Sequence, residues 1–314
     1  MDVTALGELL IDFTCIGGEG YPVMEAHPGG APANFLAALA KFGAGTALIS
    51  KVGEDAFGRL LVRTLKELGI STEGVTMDPE VFTTLAFVTL DDKGNRSFSF
   101  ARKPGADTCL RPEEVQEALI RQAKVFHFGS LSLTHQPARS ATVRAVALAK
   151  QLRKLITYDP NLRMPLWPDP ETARQQLLWG MAQADVVKLS DEEADFLFGL
   201  PPMAAAEQIL RQYPVKLVFV TCGPDGCVFA NPVASGSVPG LSGVQAVDTT
   251  GAGDIFGGAA VWQLLQHKTP PEKLSREQLL QIARFAVAAS GLSTERPGGI
   301  FSVPEPEQVL CALS

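Results

Sequence analysis

Between residues 112 and 230 the chain keeps one beat: a stretch of helical period, then a short run of apolar and β-branched residues. The pattern predicts helix 112–122 before strand 125–128, helix 136–152 before strand 155–159, and helix 170–184 before strand 186–189. Helix 191–198, closed by Gly199 with Pro201 and Pro202 beyond, and helix 203–212 then lead to strand 217–221 and a return strand 227–230. This alternation leaves few folds open. It implies βαβ units and a mostly parallel sheet with helices on both faces, a three-layer α/β/α sandwich. Ligands of such sheets bind beyond the carboxyl ends of the strands. Asp12, Gly129, Asp159, Ser190 and Thr221 all fall at expected strand ends.

The N-terminal part reads less evenly. Residues 3–11 form one apolar run, expected as a buried first strand; Glu8 inside it needs a partner or a role. Residues 13–28 are Gly-rich and read as irregular. A helix over 32–42 stops at Gly43, strand 46–52 follows, and helix 57–68 puts Leu61, Leu65 and Leu68 on one face before Gly69. Runs 82–90 and 96–100 are β-rich and flank Asp91-Asp92-Lys93-Gly94-Asn95, a hairpin turn. Residues 96–100 alternate with period two, so one face must cover something; an ordinary sheet edge is the plain alternative. With no repeat, low-complexity tract or long linker, residues 1–314 are expected to form one domain.

The chemistry concentrates in Asp248-Thr249-Thr250-Gly251-Ala252-Gly253-Asp254. Two carboxylates bracket two hydroxyls and a small-residue turn, and an apolar helix follows at once. Such a turn leaves backbone N–H groups unpaired at a helix N-terminus, where the dipole favours an anion such as phosphate. Asp254 sits in the first turn, positioned to take a proton from an attacking hydroxyl while the N–H groups of Gly251, Ala252 and Gly253 steady developing charge. Glycine turns and first-turn Asp residues also serve simply to start helices. Here the helix that follows is too apolar for a surface decoration.

This stretch resembles the second signature of the ribokinase-like (PfkB) family of sugar kinases, and Gly29-Gly30-Ala31-Pro32-Ala33-Asn34 resembles the first. The likeness runs over nearly the whole chain. Gly7-Glu8-Leu9-Leu10-Ile11-Asp12-Phe13 and Asp159-Pro160-Asn161-Leu162-Arg163 look most like fructokinases. The resemblance implies ATP-dependent phosphorylation of a primary sugar hydroxyl, with D-fructose first and 2-keto-3-deoxygluconate, ribose or a nucleoside as alternatives. A non-catalytic sugar-binding relative would have lost the base. A Rossmann-type oxidoreductase lacks its G-x-G-x-x-G after the first strand.

Carried over residue by residue, the family places the sugar on Asp12, Gly29, Gly30 and Asn34, under a β-lid made of residues 12–27 and 82–103. Arg102 at the lid exit is expected at the sugar and the transferred phosphoryl group, and Arg163 near the sugar. Fructokinases often carry an aromatic residue where this chain has Ala101. The nucleotide side is Lys188, Ser190, Glu193, Thr221, Gly223 and Gly226. Ser190 replaces the family's Asn, and Glu193 is expected to organise Mg²⁺ through water, although Ser190 to Glu193 also reads as a helix capping box. A K⁺ site is expected from Asp248 and Thr250 together with Arg296, Gly298 and Ser302. Lids of this family often pair between subunits, which makes a homodimer an expectation.

Composition narrows the partners. A net charge of −7 argues against nucleic acid or an anionic membrane. Five cysteines without paired spacing, an acidic start, and no apolar run of about 20 residues point to free thiols, no secretory leader and a cytoplasmic enzyme.

Overall fold

The computed structural model describes residues 1–17, 21, 23–90 and 96–313. β1 (Val3–Leu6) lies inside a nine-stranded sheet. The backbone then leaves that sheet: β2 (Leu10–Gly17) pairs antiparallel with β3 (Val23–Gly29) in a second, four-stranded one. The single strand expected over 3–11 is therefore two strands in two sheets, and residues expected to be irregular form β2 and β3. The break falls where Glu8 turns its carboxylate to the N–H of Ala31, 3.0 Å away.

Next come α1 (Ala31–Lys41), β4 (Thr46–Gly53), α2 (Ala56–Glu67) and β5 (Ser71–Asp78). β5 was not legible because its residues are mostly polar and half-buried. Asp55 caps α2 by accepting the N–H of Gly58 at 2.8 Å, and its other oxygen accepts the N–H of Thr83 at 2.8 Å. β6 (Leu85–Leu90) and β7 (Arg96–Ala101) complete the small sheet, in the order β3-β2-β6-β7. The turn expected at 91–95 lies outside the described residues.

The alternating region follows its pattern. A 3-10 turn replaces the first half of the helix expected over 112–122, leaving α3 (Glu117–Gln122). Then come β8 (Val125–Gly129), α4 (Ala138–Gln151), β9 (Leu155–Asp159), α5 (Pro170–Met181), β10 (Val186–Ser190), α6 (Asp191–Phe198), α7 (Pro202–Gln212), β11 (Leu217–Thr221) and β12 (Cys227–Ala230). β13 (Ser235–Val238), α8 (Ala252–Gln266), α9 (Arg276–Ser293) and α10 (Pro306–Ala312) complete the chain. The large sheet runs β13-β12-β11-β10-β9-β8-β1-β4-β5, parallel from β11 to β5, with β12 and β13 antiparallel at its edge.

Helices cover both faces. α1, α2, α8 and α9 bury one core against the sheet; α3 to α7 bury the other. α8 is apolar nearly all round because it is wedged between the sheet, α1 and α9. It touches α1 backbone to backbone: a Cβ on Gly258 would stand 2.5 Å from the carbonyl oxygen of Phe35. That approach brings Asn34, in the first turn of α1, to the first turn of α8. No helix among the described residues is long and apolar enough to cross a membrane, and all five cysteines are free.

Candidate active site

The start of α8 stands between two cavities. A cleft of about 510 Å³ is lined by Gly251 and Asp254 together with Asp12, Gly30, Asn34 and Arg163. A second cavity of about 420 Å³, mostly apolar, is lined by Ala252 and Gly253 together with Thr221, Gly223, Gly226 and Val287. Thr249 borders both. One turn of backbone thus separates a polar chamber from an apolar one; within it the Ala252 N–H donates to the Thr249 carbonyl at 3.3 Å.

Local geometry makes that turn rigid. Gly251 has φ +77°, a left-handed conformation that a side chain would strain, and a Cβ there would stand 3.0 Å from Gly299 Cα. Asp248 Oδ1 accepts the N–H of Thr250 at 2.9 Å and its hydroxyl at 2.7 Å, and Oδ2 accepts the N–H of Gly298 at 3.1 Å. The turn is thereby tied to the Gly298–Ser302 segment, where the Ser302 hydroxyl donates to the carbonyl of Gly299 at 2.8 Å. Of the residues expected to hold a cation, Asp248 meets Thr250 and Gly298, and Ser302 closes the segment that follows Gly298. Arg296 precedes that segment, and its main-chain N–H donates to the Ser293 carbonyl at the end of α9. The Asp248 carboxylate and the Thr250 and Ser302 hydroxyls are oxygen donors, the type a hard cation takes.

Asp254 Oδ2 accepts a hydrogen bond from Asn34 Nδ2 at 2.8 Å. Burial and the neighbouring Asp159 carboxylate push the Asp254 carboxyl up to about 7, against the pull of Lys188, Asn34 and Arg163. Asp12 is likewise pushed to about 7, by burial first, with Arg163 opposing and Asp248 adding to the rise. Asp12 sits on β2 of the small sheet, opposite His27 of β3, not at the end of a strand of the large sheet. Gly29 ends β3 opposite Leu10, and Gly30 caps α1.

Arg102 is not brought to the cleft. It is 3% exposed, and its donors go to Asp107, to the Thr134 hydroxyl and to the Leu131 carbonyl. Asp107 also accepts from the Thr84 hydroxyl at 2.5 Å, so Arg102 fastens the base of β6 and β7 to the body of the protein. The expectation that Arg102 meets the sugar or the phosphoryl group is corrected on that geometry. Arg163 is the arginine that lines the cleft. Ala101 leaves no aromatic ring at its own position, and Phe100 lines the cleft one residue earlier.

Of the residues expected on the nucleotide side, Thr221, Gly223 and Gly226 line the apolar cavity. Lys188, Ser190 and Glu193 line neither of the two. Lys188 lies beneath the turn: its Nζ donates to Asp159 Oδ2 at 2.9 Å, and a Cβ on Gly253 would stand 2.9 Å from Nζ. Burial works against its charge, but Asp159, Glu193 and Asp254 outweigh it and hold its pKa above the usual lysine value. The capping box is present. Ser190 Oγ accepts the N–H of Glu193 at 3.1 Å, and Glu193 Oε2 accepts the N–H of Ser190 at 2.8 Å. Glu193 Oε1 takes the N–H of Leu162 at 2.6 Å, which anchors the loop carrying Arg163. The carboxylate that lines the cleft on this helix is Glu192.

Sequence reasoning missed Glu192, Phe100 and Asn161 on the sugar side, and Leu241, Val244 and Ser290 around the apolar cavity. Asn161 had a local signal, since it lies in the Asp-Pro-Asn-Leu-Arg stretch; the others carry none.

Comparisons with known proteins agree with this architecture. A model of the family described as pfkB family carbohydrate kinase matches residues 2–306. Probable fructokinase-2 of Arabidopsis thaliana is 41% identical over 317 residues, covering 99% of this chain and 95% of that protein. The crystal structure of a fructokinase with bound ATP from Xylella fastidiosa superposes with a TM-score of 0.91 at 32% identity, over 99% of this chain and 98% of that one. A double mutant of fructokinase from Vibrio cholerae O395, in its fructose, ADP and potassium ion bound form, gives 0.89 at 30% identity, over 100% and 99%.

Proposed function

This chain belongs to the pfkB family of carbohydrate kinases, and on that footing we propose that it transfers the γ-phosphoryl group of ATP to the primary hydroxyl of D-fructose, forming fructose 6-phosphate. The observation that carries the reading is the first turn of α8, with Asp254 facing the polar cleft and Gly253 facing the apolar cavity. Fructose occupies the cleft against Asp12, Gly29, Gly30, Asn34 and Arg163. The adenine ring occupies the apolar cavity beyond Thr221, Gly223 and Gly226. The triphosphate then reaches the turn from the far side.

Asp254 takes the proton of the attacking hydroxyl as the oxygen forms its bond to the γ-phosphorus. The bond to the β-phosphate oxygen breaks and ADP leaves. The N–H groups of Gly251 and Gly253 stabilise the charge on the transferring group, joined by that of Ala252 when it exchanges the Thr249 carbonyl for a phosphate oxygen. A base poised near neutrality matches the raised pKa of Asp254. Lys188, held by Asp159 beneath Gly253, adds positive potential to the same spot.

Mg²⁺ bound to the nucleotide would neutralise phosphate charge; Glu192 on the cleft wall is the carboxylate that would hold it through water, in place of the expected Glu193, whose two oxygens accept the N–H groups of Leu162 and Ser190. K⁺ is assigned to the Asp248, Thr250, Gly298 and Ser302 segment, with the main chain at Arg296, where it would stiffen the amide turn. The small sheet closes over the sugar and excludes water, a competing nucleophile. Its exposed Ile16 and Val23 support pairing of two copies through that sheet, and the enzyme is assigned to the cytoplasm. A keto-acid sugar would call for an extra cation, and the commitment of Arg102 to Asp107 removes one of the two candidates.

The test is ADP release with fructose, ribose, 2-keto-3-deoxygluconate and nucleosides, and identification of the product by NMR. Fructose should give the highest kcat/KM and a 6-phosphate. A tenfold preference for any other acceptor would overturn the assignment.

A further inference from the structure

Glu8 is a charged residue in an apolar run, and the reaction as described leaves it without work. It is 3% exposed, yet it lines the same cleft as Asp12, Asn34 and Asp254. Its Oε1 accepts the N–H of Ala31 at 3.0 Å, which supplies the cap that Gly30, lacking a side chain, cannot give α1. Among the described residues no side chain donates to Glu8. The nearest opposing charge, Arg102, is spent on Asp107, Thr134 and the Leu131 carbonyl.

A neutral side chain could cap a helix equally well. A carboxylate 3% exposed, with neither a cation nor a hydroxyl donor on it, is costly, and a donor arriving in the cleft relieves that cost. Free sugars are arrays of hydroxyl donors. Resting on the sugar-kinase reading above, we infer that Glu8 is a sugar-binding residue: one carboxylate oxygen holds the start of α1 while the other accepts a hydroxyl of the bound sugar, so that Glu8 sets which hydroxyl pattern the cleft admits. The same side chain would couple sugar binding to α1, the helix that carries Asn34 to Asp254.

Glu8→Gln isolates the sugar-facing oxygen, because its amide oxygen still caps Ala31. Steady-state kinetics would be run with fructose and with the monodeoxyfructoses that keep the 6-hydroxyl, on the full-length wild type and on the variant. Loss of one hydrogen bond to a charged acceptor should raise the fructose KM by about 10- to 100-fold, with the loss concentrated in KM and the ATP KM unmoved. The deoxy sugar lacking the hydroxyl read by Glu8 should be the one whose penalty relative to fructose disappears in the variant; the other penalties should persist. A fructose KM within threefold of wild type, or deoxy penalties all unchanged, overturns the proposal. If Glu8→Gln does not fold, Glu8→Asp, which keeps the charge but withdraws it by one methylene, reads the same ratios. Wild-type turnover of fructose is measured first. If it is absent, the sugar assigned above is wrong, and Glu8 is judged on deoxy forms of the sugar that is turned over.

Discussion

Asn34 and Asp254 lie 220 residues apart in sequence and 2.8 Å apart in space. Replacing Asn34 with alanine removes the amide that donates to the Asp254 carboxylate. A hydrogen bond to a charged group contributes about 1.5–3 kcal/mol. At about 1.4 kcal/mol per pKa unit, its loss should raise the Asp254 pKa by about one to two units. The sign follows from which form acts: the ionised carboxylate is the base, Asn34 favours that form, and without it the proton is held more tightly. From a starting value of about 7, the acid limb of the kcat profile should move to about 8–9. At pH 7 the ionised fraction falls from about one half to between about one in ten and one in a hundred, a loss of about 5- to 50-fold in kcat. The rate should recover as the pH rises toward 9.5. The assay is ADP release at saturating sugar and ATP from pH 6 to 9.5, so that any effect on sugar affinity drops out. A uniform loss at every pH, with the limb unmoved, would refute the claim that Asn34 tunes the base.

Two further changes probe other parts of the site. Arg102→Ala leaves Asp107 buried and unpaired at the base of the small sheet and should cost about 3–5 kcal/mol of stability, read by denaturant unfolding; a stable variant defective only in sugar KM would restore the discarded role in binding. Exchanging K⁺ for tetramethylammonium at constant ionic strength should lower kcat, because the turn tied together by Asp248 loses the ion assigned to it; unchanged kcat would remove K⁺ from the account.

The sheet and its helices were legible because alternation and caps are local. Gly43, Gly69 and Gly199 mark helix ends that the backbone confirms with positive φ. The N-terminal break was not legible. An apolar run reads the same whether it stays in one sheet or crosses to another, and the switch after Leu6 depends on Glu8 reaching Ala31, 23 residues on. The amide turn and its aspartate could be read directly because the residues that make the turn are adjacent. Arg102 could not, since its partner Asp107 lies only five residues away and nothing in the intervening sequence says which way the guanidinium faces. Ser190 and Glu193 show the reverse case: the capping box expected from spacing is present, and the same geometry turns both Glu193 oxygens toward backbone amides.

The whole account turns on the proton acceptor at the boundary of the two cavities. Asp254→Asn keeps the shape of the side chain and removes its basicity. The account predicts a fall in kcat of about 10²- to 10⁴-fold, with fructose and ATP still binding. Turnover within tenfold of wild type would contradict it and would place the base elsewhere.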